Sequence, residues 1–146
     1  MTDWTTASAT DLGLAFAEGR ADPVAVTQAY LDKIAAHPLR DRIYARVTPD
    51  RALAEAQAAA RRARRGVRLS ALDGVPVSWK DLFDTAGTAT EAGSALLQGR
   101  VPTQGAHVFT AATALGPVCL GQTHMSELAH ARLCLDPANA PSPCGI

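Results

Sequence analysis

The chain has 146 residues, a length that suits one compact domain better than two. Hydrophobic residues make up 47% of it, which argues against a disordered polypeptide, although aromatic residues make up only 5%. Fourteen basic side chains balance fourteen acidic ones, so no overall field draws the protein to nucleic acid or to an anionic membrane.

The sequence predicts neither a membrane-spanning segment nor a signal peptide. No apolar run approaches the ~20 residues that span a bilayer, and the first residues lack the basic start and apolar stretch of a signal peptide. The three cysteines, Cys119, Cys134 and Cys144, show no metal-ligand spacing and are interpreted as ordinary thiols. We therefore expect a cytoplasmic protein that binds neither membranes nor nucleic acid.

The first half of the chain predicts three helices and a short strand. Ser8 is a candidate N-cap for the first helix, and Asp22-Pro23 and Thr48-Pro49 each place a candidate cap before proline, which is typical of a helix start. The predicted elements are helices over 8–18, 23–37 and 51–65 and a strand over 43–47. The four arginines within 61–65 are interpreted as a solvated helix end, because cations complement the dipole there and no aromatic residues lie between them.

The second half predicts a strand, a long loop, a helix and another strand. Residues 75–80 favour a strand that enters an irregular stretch over 81–103, rich in Gly, Thr, Ala and Ser. Long irregular stretches in compact domains are usually functional. A helix over about 104–115 and a buried strand over 118–120 follow. The order indicates an α/β fold, with amino-terminal helices followed by the start of a mixed sheet, and residues 138–146 predict an irregular tail.

Lysine is rare here, since only Lys33 and Lys80 stand among fourteen basic residues. A lysine kept in such a chain points to a role that arginine cannot perform, because arginine does not give up its proton. Ser78 and Lys80 share one face of the predicted strand, which is reminiscent of Ser-Lys nucleophilic catalysis. The alternative is a solvated lysine at a strand end. Parallel side chains make direct Ser78–Lys80 catalysis awkward, so a base that serves a serine from elsewhere is easier to build.

A metal site is not indicated by the histidines. His124 and His130 are six residues apart with Glu127 between them, and a metal site needs three suitable ligands at a recognised spacing. We therefore expect no metal.

Two segments resemble a known family. Residues 72–84 read LDGVPVSWKDLFD, the later loop contains EAGS at 91–94, and residues 121–129 read GQTHMSELA. They resemble the lysine segment and the segment after it in the amidase-signature family, which includes one of the subunits of glutamyl-tRNA amidotransferase. The helices over 8–65 also match the family's amino-terminal layout. Together with the two segments, they extend the resemblance over nearly the whole chain, to about residue 137.

The resemblance implies an incomplete amidase-signature fold, with residues 1–146 as the amino-terminal part of a single amidase domain. It implies hydrolysis of a small carboxylic amide at its C–N bond by a Ser–cis-Ser–Lys triad, without a cofactor. Lys80 matches the family's lysine, and Met125 is a candidate substrate-lining residue. The family's nucleophile and bridging serine lie in a Gly-Ser-Ser-Gly region that has no counterpart here, so we expect this chain to be inactive alone.

Departures from the family pattern leave alternatives open. Gln122 and His124 replace the usual Lys and Asn, and residues 132–137 lose two glycines and an Asn. A truncated copy, a decayed copy and a cut fragment all fit. One alternative function is a non-catalytic remnant or interaction module that pairs with a fuller partner, or with itself, through an open sheet edge. A less favoured one is an independent Ser78–Lys80 hydrolase. Lys80 itself is expected to be at least partly buried beneath the 81–103 loop.

Overall fold

The computed structural model describes residues 2–130, so the expectations for segments 132–137 and 138–146 lie outside the described residues. The helices are α1 (Ala9–Ala17), α2 (Pro23–Ala36), α3 (Arg40–Ile43), α4 (Pro49–Arg64) and α5 (His107–Thr113). The strands are β1 (Tyr44–Val47), β2 (Pro76–Lys80) and β3 (Val118–Thr123). Every helix within 2–130 is too short or too polar to cross a membrane.

Two of the three predicted helix starts are capped by the side chain that the sequence indicates. Ser8 Oγ accepts the Asp11 N–H at 3.1 Å, and the Asp22 carboxylate accepts the Ala25 N–H at 3.1 Å. Thr48 precedes α4 but makes no side-chain cap, because its hydroxyl donates to the Cys119 carbonyl at 3.4 Å instead. The predicted helices are confirmed, while this one capping role is wrong.

The three strands form one mixed sheet in the order β1-β3-β2. β1 runs antiparallel to β3, with Tyr44 opposite Thr123 and Val47 opposite Gly121. β2 lies on the other side of β3. The predicted α/β class with a mixed sheet is therefore confirmed, and β3 extends three residues beyond its predicted end.

Helix α5 is shorter than the prediction over 104–115. The Ala106 N–H donates to the Asp84 carbonyl at 2.8 Å, so the chain before α5 is bonded to the 81–103 loop and cannot continue a helix. Helical bonding starts where the Thr110 N–H donates to the Ala106 carbonyl.

The described chain divides into two compact units. The first contains the chain up to His37 together with Thr48–Val77 and Ala111–Leu120. Its core packs Leu12, Phe16, Val26 and Val75, and α4 buries a stripe of alanines toward α2. The small size of alanine lets the two helices approach closely.

The second unit contains Pro38–Val47, Ser78–Thr110 and the chain from Gly121 onward. Its aromatic centre is Trp79, whose ring packs edge-on against Phe83 and Phe109 with centroid distances of 5.6 and 5.0 Å. Edge-to-face packing of this kind adds to the stabilisation that burial provides. The candidate site residues all lie in this unit.

Candidate functional site

Lys80 is the last residue of β2, and its main chain is held on both sides. The Asp81 N–H donates to the Thr123 carbonyl of β3 at 3.0 Å, and the Phe83 N–H donates to the Lys80 carbonyl at 3.2 Å. The residue before it, Trp79, is anchored by its aromatic contacts. The predicted position of Lys80 at a strand end is confirmed.

The predicted burial of Lys80 is wrong, because its side chain is exposed. The 81–103 loop folds onto the next residue instead, since the Glu91 N–H donates to the Asp81 carboxylate and the Ala92 N–H donates to the Asp81 carbonyl. Side chains alternate along a strand, so burying Asp81 turns Lys80 to the outside. Among residues 2–130, no hydrogen bond or ion pair to Lys80 Nζ is present.

Ser78 shares the exposed face of β2 with Lys80, as the alternation predicts. Its hydroxyl lies 2.7 Å from the Tyr44 hydroxyl of β1, and these two groups form a hydrogen bond. The described partner of Ser78 is thus a tyrosine and not the lysine. This arrangement disfavours an independent Ser78–Lys80 hydrolase, because a serine nucleophile needs its base within about 3 Å.

A polar network lies behind Lys80, on the buried side of the strand. The Arg46 guanidinium donates to Asp81 at 2.8 Å, pairs with Glu91, and approaches the Gln122 side-chain oxygen at 3.5 Å. Gln122 in turn donates to the Thr90 hydroxyl at 3.2 Å. The side chains of Asp81 and Arg46 are 3% and 20% exposed, so the pair is largely removed from water.

Burial raises the pKa of Asp81 above its ordinary value of 3.8. The Arg46 charge and hydrogen bond and the Glu91 N–H act in the opposite direction, while the Glu91 carboxylate adds to the rise. Two carboxylates here share a single guanidinium. Ionisable groups whose pKa is perturbed by burial and by a neighbouring charge are more common near functional sites than elsewhere.

The loop is tied to the segment after β3 by an unusual main-chain turn. Ala92 has a left-handed φ of +50°, and its carbonyl accepts the Leu128 N–H at 2.9 Å. At Gly93, φ is +62° and an added Cβ would lie 2.6 Å from the Met125 carbonyl, so no larger residue fits. Ser94 Oγ donates to Glu127 at 2.8 Å.

Met125 belongs to the core of this segment. Its side chain is 2% exposed, so it offers almost no surface to a ligand in the structure. The role of Met125 as a substrate-lining residue stays a prediction.

Sequence reasoning did not assign roles to the members of the polar network. Arg46 carries no signal in the sequence, because strict alternation would place it on the same face as Tyr44, and only the register shift between these two residues in the pairing of β1 with β3 separates them. Asp81 and Glu91 stand inside the segments that resemble the family, and Gln122 stands where the family usually has a lysine. The Gln122 amide both accepts from Arg46 and donates to Thr90, and a lysine has no acceptor with which to do this.

The chain belongs to the amidase family, whose model matches residues 25–142. The A-type subunit of the glutamyl-tRNA(Gln) amidotransferase of Chloroflexus aggregans is 41% identical over 115 residues, which are 79% of this chain and 24% of that protein. Its counterpart in Thermobifida fusca is 39% identical over 129 residues, covering 88% and 26%. The chain thus spans about a quarter of the length of these curated relatives.

Solved structures confirm the amidase-signature fold. The peptide amidase of Stenotrophomonas maltophilia matches with a TM-score of 0.79 and 36% identity, over 87% of this chain and 26% of that one. A chain of a vestigial protein complex related to the origins of an s-triazine catabolic enzyme matches with a TM-score of 0.85 and 29% identity, over 93% and 30%. Fatty acid amide hydrolase, 19% identical with a TM-score of 0.84, shares the fold alone.

Proposed function

We propose that this chain supplies the lysine of an amidase site, and that Lys80 is that lysine. The reaction is hydrolysis of the C–N bond of a small carboxylic amide through a Ser–cis-Ser–Lys triad. The observation that carries the proposal is the setting of Lys80, whose main chain is held at the end of β2 while its amine is left exposed. A rigid backbone suits a base that acts on groups supplied from elsewhere, and those groups must also cover the exposed amine.

In such a site the neutral amine accepts the proton of the bridging serine, which activates the nucleophilic serine toward the amide carbon. The proton then returns through the bridging serine to the leaving amine. Arginine could not replace Lys80 in this role, because its guanidinium stays protonated at every relevant pH.

Exposure also sets a limit on what the chain does alone. A lysine that acts as a base has to be removed from water, because desolvation is what disfavours its charged form. The surface that covers Lys80 therefore has to come from groups beyond those described in residues 2–130. An acyl-transfer site also needs a nucleophile and donors aimed at the developing oxyanion. We accordingly expect no amide hydrolysis by the 146-residue chain.

The first test uses the purified chain with a fluorophosphonate and with simple aryl amides. We expect no labelling and no turnover, and the same result for Ser78→Ala. Stoichiometric labelling at Ser78, with turnover that is lost in Ser78→Ala, would contradict the proposal and identify a small Ser-Lys hydrolase.

The second test asks whether Lys80 can serve a complete site. Residues 2–130 replace the matching portion of the Stenotrophomonas maltophilia peptide amidase, and the hybrid is assayed for amide hydrolysis. Lys80→Arg should lower kcat by at least about 10³-fold, as loss of a triad member does. Lys33→Arg is the matched control: Lys33 is the other lysine, exposed on α2 with its amine bonded to Thr5, and its exchange should leave kcat unchanged. Turnover retained in the Lys80→Arg hybrid would remove Lys80 from the mechanism.

A second candidate function, an interaction module, is favoured by the sheet order. Among the described strands β2 is an edge strand, and such edges can pair with another chain. In this case light scattering of the isolated chain should show self-association that depends on concentration. A clean monomer at all concentrations would count against it.

A further inference from the structure

We infer that Arg46 is the positioning residue for Lys80, holding the end of β2 so that the lysine amine projects in one fixed direction. The inference rests on the proposed role of Lys80 as the catalytic base. Arg46 touches no reacting atom. It acts through Asp81, the residue that follows Lys80 in the chain.

Arg46 joins three parts of the second unit that meet at Lys80. Its guanidinium donates to Asp81 at the end of β2, pairs with Glu91 in the middle of the 81–103 loop, and faces Gln122 of β3. Glu91 carries the connection further, because its other carboxylate oxygen accepts the Gly99 N–H at 2.7 Å. One side chain therefore holds the strand end and the loop together.

Strand β1 holds β2 on both sides of Lys80. Tyr44 bonds to Ser78, two residues before the lysine and on its own exposed face. Arg46 bonds to Asp81, one residue after the lysine and on the opposite, buried face. Gripping both faces restrains rotation of the strand about its own axis, and that rotation is the movement that would redirect the Lys80 amine.

The arginine fork is needed for this role. A guanidinium presents several N–H groups in one plane and can hold two carboxylates at once, whereas a lysine ammonium is a point charge on a flexible stem. Without Arg46, Asp81 and Glu91 would face each other as two like charges in a largely dry setting. The left-handed turn at Ala92, whose N–H donates to the Asp81 carbonyl, would lose the support that keeps it in a sparsely populated conformation.

The test begins with the 146-residue chain and requires no enzymatic activity. Because the chain has two lysines, isotope labelling of lysine gives two sets of side-chain NMR signals, and Lys33 serves as the internal reference. In Arg46→Met we expect the Asp81 and Ala92 amides to exchange at least about tenfold faster and the Lys80 signals to shift and narrow. The Lys33 signals should not change.

Two further variants separate positioning from general destabilisation. Arg46→Met with Glu91→Gln removes the like-charge repulsion, so the Asp81 and Ala92 amides should regain part of their protection. Arg100→Met is the matched control, since the exposed Arg100 pairs with Asp84 in the same loop and its exchange should leave Lys80 unaffected. If Arg46→Met fails to fold, Arg46→Lys takes its place with a smaller effect of the same kind. Lys80 signals that are identical in all variants would overturn the inference.

The hybrid amidase distinguishes this inference from the proposed function. We expect Arg46→Lys to lower kcat at least about tenfold with KM within about twofold, because misplacing a catalytic group slows chemistry more than binding. If Lys80→Arg abolishes turnover but Arg46→Lys keeps the original kcat, the positioning inference is wrong and the proposed function stands. If Lys80→Arg leaves turnover intact, the proposed function fails and Arg46 is merely structural, whatever the NMR result.

Discussion

Each unit of the molecule contains a buried aspartate held by an arginine, and the two pairs differ in their electrostatics. In the first unit both oxygens of Asp73 accept from Arg62, at 2.8 and 2.5 Å, and one also accepts the Leu69 N–H at 2.9 Å. In the second unit Asp81 accepts from Arg46 at 2.8 Å. The side chains of the two aspartates are 0% and 3% exposed, so burial alone does not separate them.

The pKa values of the two carboxyl groups move in opposite directions. Burial pushes the pKa of Asp73 upward, but the hydrogen bonds from Arg62 and Leu69 and the charges of Arg62 and Arg68 outweigh it, so the net shift is downward. For Asp81 burial is again the largest influence, and there it prevails, so the pKa is raised.

The difference arises from the neighbours of each pair. Asp73 is surrounded by cations and donors, while Asp81 must share its arginine with the carboxylate of Glu91. The first arrangement is what a purely structural ion pair requires. The second keeps unfavourable charge next to Lys80, and perturbed carboxyl groups of this kind are more common near functional sites, in line with the role that we propose for Lys80.

The largest loss of stability is expected when a new side-chain atom clashes with Asp73 of the Arg62–Asp73 pair. A Cβ on Gly116 would lie 2.4 Å from Asp73 Oδ1, and Gly116 has a φ of +88°. Gly116→Ala should therefore destabilise the first unit by about 3 to 5 kcal/mol, from the clash and the backbone strain together. Gly66→Ala is the control: φ is +69° but nothing lies within 4 Å, so about 1 kcal/mol is expected. Urea unfolding measures both, and equal losses would show that Asp73 simply moves aside.

Asp73→Asn should have the next largest effect, about 2 to 4 kcal/mol at pH 7, because it leaves Arg62 without its charge partner. The lowered pKa means that this stabilisation is present above the unfolded-state pKa and is lost as the pH falls through the folded-state value. The loss on substitution should thus shrink below about pH 4. Fluorescence of Trp4, in a Trp79→Phe background, reports the unfolding of the first unit. A loss of stability in Asp73→Asn that does not depend on pH would contradict the lowered pKa of Asp73.

Asp81→Asn should cost less, about 1 to 2 kcal/mol, and show the opposite slope with pH. Because the pKa of Asp81 is raised, its contribution to stability is fully present below the unfolded-state pKa. That contribution declines as the pH rises through the folded-state value. The wild-type chain loses this contribution on going to neutral pH and the Asn variant does not. The difference in the free energy of unfolding between the two proteins should therefore narrow as the pH rises. Trp79, the tryptophan of the second unit, is the probe in a Trp4→Phe background. If the cost of substitution changed with pH in the same direction for Asp73 and Asp81, the opposite pKa shifts of the two carboxyl groups would be contradicted.

The smallest effect is expected on the exposed side of β2. Tyr44→Phe and Ser78→Ala each remove one partner of a solvent-exposed hydrogen bond, so each should cost less than about 1 kcal/mol. Since both variants remove the same interaction, the double variant should cost less than the sum of the two. Full additivity in this double-mutant cycle would show that the hydroxyl groups do not interact in solution.

Local chemistry in the sequence predicts much of this molecule. Ser8 and Asp22 lie at helix starts and make the expected caps, and period-two alternation places Ser78 and Lys80 on one face of a strand. The motif over 72–84 identifies the amidase family and the position of Lys80. These features depend on residues a few positions apart, and such neighbours determine capping, alternation and motif identity.

The tertiary structure decided three other features. These are the burial of Asp81 in place of Lys80, the pairing of Ser78 with Tyr44, and the convergence of Arg46, Glu91 and Gln122. Arg46 lies 35 positions from Asp81 along the chain, and Gln122 lies 76 positions from Arg46. Whether a charged side chain is buried or exposed depends on which partners the fold brings within hydrogen-bond distance, because a buried charge is tolerated only when it is paired. The sequence by itself determined the family, the helices and the place of the lysine. Which charges lie beside that lysine was settled only when β1, β3 and the 81–103 loop came together.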